Sequence, residues 1–399
     1  MALPLTLSAT QTLPADGLAG TLVGRAWIPA GDGVPAGPAV VVLRPDGVFD
    51  ISDVAPTMST LLEQDDPLTV VHNAPGRWIG KLDDLLANTA DPHGSNGVAR
   101  LLAPCDLQVI KAAGVTFAGS LVERVIEEQT KGDPQGAAEV RNRIQALVGE
   151  RLSRIRPGSR EAGELKALLI EHGMWSQYLE VGIGPDAEIF TKAPLLSALG
   201  TGTEIGLHPG SAWNNPEPEI VLAINSRGDV LGATLGNDVN LRDFEGRSAL
   251  LLGKAKDNNG SCAIGPFLRL FDQSFSLDDV RRATVDLRVD GLDGFVLSGT
   301  SSMDQITRDP LELAEQAMGA THQYPDGAML FLGTLFAPVE DRDTAGGGFT
   351  HKGGDLVTIS SRQLGSLVNR VGRSDRIAPW TFGVRALMAN LAARGHTTF

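Results

Sequence analysis

Between residues 219 and 236 the chain reads EIVLAINSRGDVLGATLG: two apolar runs of strand length around the polar stretch Ser226-Arg227-Gly228-Asp229. This pattern predicts a β-hairpin. Further strand-like runs follow in ATVDLRVDG, GFVLSGTS, AMLFLGTLFAP and GDLVTIS. Residues 120–172 read differently. SLVERVIEEQ, AAEVRNRIQALVGERLSRI and REAGELKALLIEHG place apolar residues at i, i+3 and i+4, which predicts two or three amphipathic helices. They are interrupted at Gly132-Asp133-Pro134 and Pro157-Gly158. Helical patterning returns at 310–319 and 383–393. The first 107 residues are rich in Gly and Pro breaks. They hold one hairpin signal, AVVVLRPDGVFDIS, and short helical stretches at Leu61-Leu62 and 80–90. The predicted organisation is a small N-terminal α+β domain over 1–107 and a strand-rich domain over 108–399 that carries the helical segment.

One irregularity stands out. The first run of the central hairpin is preceded by Pro216-Glu217-Pro218-Glu219. Residues i and i+2 of a strand share a face, so Glu217 and Glu219 point the same way. With a two-residue turn centred on Arg227-Gly228, Glu219 lies opposite Gly236, which leaves room beside it. Glu217 then lies opposite Asp238, and the three carboxylates converge. A three-residue turn would move Asp238 to the other face. Three neighbouring carboxylates either take up protons or bind a cation. Oxygen donors without Cys or His suit a hard ion, Mg²⁺ first, with Mn²⁺ and Ca²⁺ also compatible. Spacing alone equally allows three solvated charges at a hairpin end.

Composition narrows the function. The formal net charge of −14 over 399 residues argues against nucleic acid or an anionic membrane surface as a partner. The two cysteines, Cys105 and Cys262, form no zinc-type spacing and fit a reducing cytoplasm. No apolar run is long enough to span a membrane, and the N-terminus has no signal-peptide pattern, so a cytoplasmic protein is expected.

WNNPEPEIVLAI, GNDVNLRDFEG and KAKDNNGSCAIGP occur in that order. Together they resemble the fumarylacetoacetate hydrolase superfamily, and within it the dehydratases of 2-keto-3-deoxy sugar acids. The resemblance runs from about Gln108 to Arg370. It implies an α+β fold built on a mixed β-roll, a homodimer or homotetramer, and a small-molecule 2-keto acid as substrate. Glu217, Glu219 and Asp238 match the metal ligands. Lys256 matches the lysine ahead of the S-C-x-x-G-P segment. Glu188 and Lys192, in AEIFTKAP, match a glutamate and a lysine of another motif, and the resemblance implies that Lys192 binds substrate. Ser120 and Arg124 in GVTFAGSLVER, Ser302 in GTSSM and Thr334 in FLGTLFAP match polar positions that would anchor the carboxylate and hydroxyls of the substrate.

The chemistry so implied is Mg²⁺-dependent dehydration of a 2-keto-3-deoxy-pentonate to 2-oxoglutarate semialdehyde. Lys256 would stabilise the enolate or exchange the C3 proton, and Glu188 would serve the departing C4 hydroxyl as acid or base. The sequence departs from the carbon–carbon hydrolases of the superfamily: residues 114–126 hold neither their histidine base nor their fourth metal-binding aspartate. Asp257-Asn258-Asn259 stands where an aromatic residue is usual after the lysine. The competing expectations are a hydrolase or decarboxylase of a β-dicarbonyl acid, such as an acylpyruvate or oxaloacetate, and a binding module without turnover.

Overall fold

The structure is a computed structural model. It describes residues 3–31, 33–131, 139–142, 144, 155–334, 338, 340–344 and 347–396. Among these, the first strands are β1 (Leu22–Ile28), β2 (Gly37–Arg44), β3 (Gly47–Asp50), β4 (Arg77–Gly80), β5 (Arg100–Leu102) and β6 (Val109–Gly114). After the helical segment come β7 (Glu188–Ala193), β8 (Glu204–Leu207), β9 (Asn214–Asn215), β10 (Pro218–Ile224), β11 (Val230–Asp238) and β12 (Asn240–Leu241). The last are β13 (Cys262–Leu270), β14 (Thr284–Asp290), β15 (Val296–Ser302), β16 (Ala328–Phe331), β17 (Leu356–Ser361) and β18 (Gly365–Arg373).

Eleven of these strands form one sheet in the order β4-β3-β2-β1-β13-β11-β10-β16-β6-β7, with β5 also paired to β1. It is mixed: β16 and β6 are parallel, and the other pairs are antiparallel. A second sheet has the order β15-β14-β17-β18-β8. The strands of residues 22–102 do not close on themselves. Leu22 and Val23 of β1 pair with Arg269 and Leu268 of β13, so the sheet runs unbroken across the expected boundary at residue 107.

The β10–β11 hairpin lies at the centre. Ile220, Leu222 and Ile224 pack with Val285, Leu287, Val357 and Ile359 of the second sheet. Val221 and Ala223 face the other way, onto Ile264, Leu268 and Phe331 and the N-terminal residues Met58, Leu61 and Leu62. Burial on both faces explains why this hairpin reads as unbroken apolar runs. The second sheet is covered on one face only, and β14 alternates accordingly: Val285, Leu287 and Val289 are buried, while Thr284, Asp286 and Arg288 are exposed.

The turn differs from the two-residue expectation. Asn225 pairs with Asp229, and Gly228 donates to the Asn225 carbonyl at 3.0 Å with φ +86°, so three residues make the turn. This is a type I turn closed by a left-handed glycine. Ile224 pairs with Val230, yet Ala223 pairs with Gly232, which leaves Leu231 as a bulge. The extra residue of the turn and the extra residue of the bulge cancel. Glu219 therefore lies opposite Gly236, as the two-residue turn requires.

Helices Ala118–Gln129, Arg160–Glu171 and Gln177–Ile183 pack through Leu121, Val125, Ile126, Leu165, Leu169, Leu179 and Ile183. Most of the helix expected over 137–155 lies outside the described residues. The later helical patterns appear as Pro310–Ala317 and Val384–Ala393. Among the described residues no helix is long and apolar enough to cross a membrane.

Candidate active site

Glu217, Glu219 and Asp238 meet at the open end of the central hairpin. Each offers a carboxylate oxygen within 4.8 Å of the others. Their exposures are 2%, 1% and 1%, which removes the reading as solvated surface charges. The room that a missing side chain leaves at Gly236 is not open to a ligand. A Cβ there would lie 2.3 Å from the Phe331 ring and 2.6 Å from Val221, so packed apolar atoms fill it.

Three cations address these carboxylates. Lys256, at the end of helix Leu252–Lys256, donates to Glu217 Oε2 at 2.5 Å and to Asp238 Oδ2 at 3.0 Å. Burial works against its ammonium charge, but Asp238, Glu217 and Glu245 outweigh burial and hold its pKa above the ordinary lysine value. Lys192 on β7 is fully buried. Its Nζ lies 2.8 Å from Asp238 Oδ1 and donates to the carbonyls of Val239 and Lys256. Arg124, on helix Ala118–Gln129, donates to Glu217 and to Glu127, and lies 3.3 Å from Glu245. Arg124 and Lys192, expected to anchor substrate, are thus engaged by carboxylates of the site itself. Burial raises the Asp238 pKa, but Lys192 and Lys256 overcome it and keep the group below its ordinary value.

Glu219 stands apart. Among the described residues no lysine or arginine forms an ion pair with it, and its Oε2 accepts the Gly333 backbone N–H at 2.7 Å. Burial, followed by the charges of Asp238 and Glu217, raises its pKa well above the ordinary value. Gly333 has φ +98°, and a Cβ there would come within 2.0 Å of Thr116 Oγ1, so only glycine brings this N–H to the carboxylate. Thr334 is buried beside it.

Glu188 opens β7 opposite Gly114, where a Cβ would strike its carboxylate at 1.9 Å. Its pKa is raised, first by burial and then by Glu217 and Asp238, against Arg124 and Lys256. Ser120 and Ser302 are not brought into this group by any hydrogen bond. The Ser120 hydroxyl donates to the Phe117 carbonyl at 2.9 Å, and Ser302 pairs with Thr284 in the second sheet.

The site also holds residues to which the sequence reading assigned no role. Glu245 is buried next to Arg124. Desolvation pushes its pKa up to about 7 against the attraction of Arg124 and Lys256. Glu127 bridges Arg124 at 2.6 Å and Arg242 at 2.7 Å, and Arg242 also bonds Glu123 at 3.0 Å while lying over the Trp213 ring. The available signal was the i, i+4 spacing of Glu123 and Glu127 on a helix with an apolar stripe, beside the arginine and glutamate of RDFEG.

The donor set fits a divalent cation. Glu188, Glu217, Glu219, Asp238 and Glu245 are five carboxylates, and Arg124, Lys192 and Lys256 are three cations. Buried charge of this kind must be matched by protons or by metal. The three converging oxygens are hard donors of the kind that Mg²⁺, Mn²⁺ or Ca²⁺ takes, and neither Cys nor His joins the cluster.

The chain resembles known proteins in sequence and in fold. Residues 184–372 match the fumarylacetoacetate (FAA) hydrolase C-terminal family. The chain is 30% identical over 193 residues to the 2-dehydro-3-deoxy-D-arabinonate dehydratase of Saccharolobus solfataricus, covering 48% of this chain and 60% of that protein. It is 27% identical over 201 residues to the Probable 2-keto-3-deoxyxylonate dehydratase of Haloferax volcanii, covering 50% and 65%. The matches therefore span less than two thirds of either relative. Among solved structures, 2-keto-3-deoxy-D-arabinonate dehydratase complexed with magnesium and 2,5-dioxopentanoate superposes with a TM-score of 0.60 at 20% identity, over 88% of this chain and 99% of that one. The fumarylacetoacetate hydrolase of Exiguobacterium antarcticum gives 0.52 at 16%, over 88% and 99%. The overall fold is shared with both, and it is over residues 184–372 that the chain matches the fumarylacetoacetate hydrolase C-terminal family.

Proposed function

We propose that the protein is a Mg²⁺-dependent dehydratase that converts a 2-keto-3-deoxy-pentonate to 2-oxoglutarate semialdehyde. The observation that carries this reading is the buried Glu217–Glu219–Asp238 cluster with Lys256 and Glu188 beside it. Two relatives bear sugar-acid dehydratase names, and one structural neighbour was solved with magnesium and 2,5-dioxopentanoate. Glu217, Glu219 and Asp238 would hold the ion, which when bound supplies Lewis-acid polarisation of the substrate's ketone.

The chain's own residues do the rest. Lys256 is kept as an ammonium by two carboxylates and stabilises negative charge that develops on the keto oxygen as the C3 proton leaves. Glu188 bonds to no cation among the described residues and is partly exposed, so it can exchange protons with a substrate. Its raised pKa suits a group that takes the C3 proton and returns it to the departing C4 hydroxyl. The balance is as follows: C3 loses a proton and C4 loses hydroxide, so water leaves and a C3–C4 double bond forms. A proton then leaves C5 and one returns to C3, and the resulting C4–C5 enol takes a proton at C4 and loses its hydroxyl proton to become the C5 aldehyde. Arg124 and Lys192 position Glu217 and Asp238 rather than touching substrate.

The test is to supply the protein and Mg²⁺ with 2-keto-3-deoxy-pentonate and, separately, with an acylpyruvate. Formation of the semialdehyde is expected. Pyruvate release from the acylpyruvate alone would assign a hydrolase instead, and metal binding with no turnover would leave a binding module.

A further inference from the structure

Past the carboxylates the two chain segments pair again, as the short sheet of β9 and β12. Asn215 pairs with Asn240, in the same register that sets Glu219 opposite Gly236. Asn215 stands two residues before Glu217 and Asn240 two after Asp238, in the two-stranded sheet of β9 and β12, so the shared register puts the asparagine pair next in line after Glu217 and Asp238. Two residues of extended chain separate the pairs, about 7 Å.

Both asparagines are closed off from solvent, at 1% and 0% exposure. The Asn215 Nδ2 donates to the Pro216 carbonyl at 2.9 Å. Among the described residues, the Asn215 Oδ1 and both the Nδ2 and Oδ1 of Asn240 have no hydrogen-bond partner. Buried amides are almost always satisfied, and three such atoms on facing residues are a costly arrangement unless a ligand completes them. Their chemistry limits that ligand. The keto-acid end of the substrate would be taken by an ion held at Glu217, Glu219 and Asp238, whereas an amide pair is neutral and offers a donor and acceptors together. That set fits a hydroxyl, which both donates and accepts.

The geometry points to Asn215 and Asn240 as the subsite for a substrate hydroxyl remote from the keto acid, one that selects a hydroxylated chain over a deoxygenated one. This rests on the 2-keto acid reading above and adds to it the element that specifies the far end of the substrate. A site built to bond a hydroxyl rejects the analogue that lacks it, because its polar groups are then left unpaired.

Two ligands lacking the C4 hydroxyl, and so unable to dehydrate, isolate the effect. These are 5-hydroxy-2-oxopentanoate and 2-oxopentanoate, whose binding to the Mg²⁺-loaded protein is measured by calorimetry. The wild type is expected to prefer the hydroxylated ligand by about tenfold, the discrimination one net hydrogen bond provides. Asn240→Ala and Asn215→Ser are each expected to erase most of that preference while retaining the affinity for 2-oxopentanoate within a few-fold, with thermal melts confirming that the variants fold. Equal affinity of the wild type for the two ligands overturns the inference without any variant. So does a preference that survives both substitutions. Failure of both ligands to bind also overturns it. Turnover of the pentonate is scored separately, so an active enzyme without the preference rejects the subsite alone.

Discussion

Among the individual residues, Glu188 and Lys256 divide the chemistry by their surroundings. Lys256 is fixed between Glu217 and Asp238 and cannot leave them without exposing buried carboxylates. Glu188 keeps its carboxyl clear of ion pairs among the described residues, and burial raises its pKa above the ordinary value. Replacing Glu188 with Gln is expected to lower kcat by about 100-fold or more, the usual scale of general acid–base catalysis, while Mg²⁺ affinity measured by calorimetry changes little. Undiminished kcat would remove Glu188 from the mechanism. Glu245 gives a second test at this scale. Its pKa is about 7 in the folded protein and 4.5 ordinarily, so the folded state binds the extra proton between those values. The metal-free protein should therefore lose stability as pH rises from about 4.5 to about 7, and Glu245→Gln should flatten that slope in denaturant titrations. A slope unchanged by the substitution would show that Glu245 is not its source.

At the level of elements, the site depends on a hairpin register, a glycine loop and a helix. The carboxylate face was legible in the sequence because strand parity is strict: Glu217 and Glu219 must share a face. The register was recovered for an incomplete reason. The turn has three residues, and the bulge at Leu231 restores the pairing, a compensation with no local signature in VLGATLG. Gly236 was legible as small but not as packed, because the filling ring belongs to Phe331, almost a hundred residues away. The loop after β16 shows the same non-local logic. Its glycine places one N–H on Glu219 and has Thr116 against its back. Gly333→Ala forces a side chain into positive φ and into Thr116 Oγ1, at a cost of about 1–3 kcal/mol. Lowered thermal stability together with weakened Mg²⁺ affinity is expected. A fall in stability with unaltered metal affinity would show that the Gly333 contact does not shape the site.

Across the whole molecule, the site is assembled from distant parts of the chain. Arg124 arrives on a helix before β7, Glu188 and Lys192 on β7 at one sheet edge, the three carboxylates on the central hairpin, and Lys256 ahead of β13. The ion pairs of Arg124, Arg242, Glu123 and Glu127 tie that helix to the segment after β12. These long-range pairings are what the sequence does not display. Residue types and spacing point to the three carboxylates, whereas Arg124 reads equally well as part of a charged helix face. The N-terminal strands likewise read as a separate unit because the pairing of β1 with β13 joins residues more than two hundred positions apart. The most direct measurement is turnover of 2-keto-3-deoxy-pentonate by chelator-treated protein as Mg²⁺ is added back, for the wild type and for Glu219→Gln. Semialdehyde formation should be absent without metal, rise to saturation with Mg²⁺ in the wild type, and stay near zero in the variant. Metal-independent turnover, or a variant as active as the wild type, would contradict a metal site at Glu217, Glu219 and Asp238.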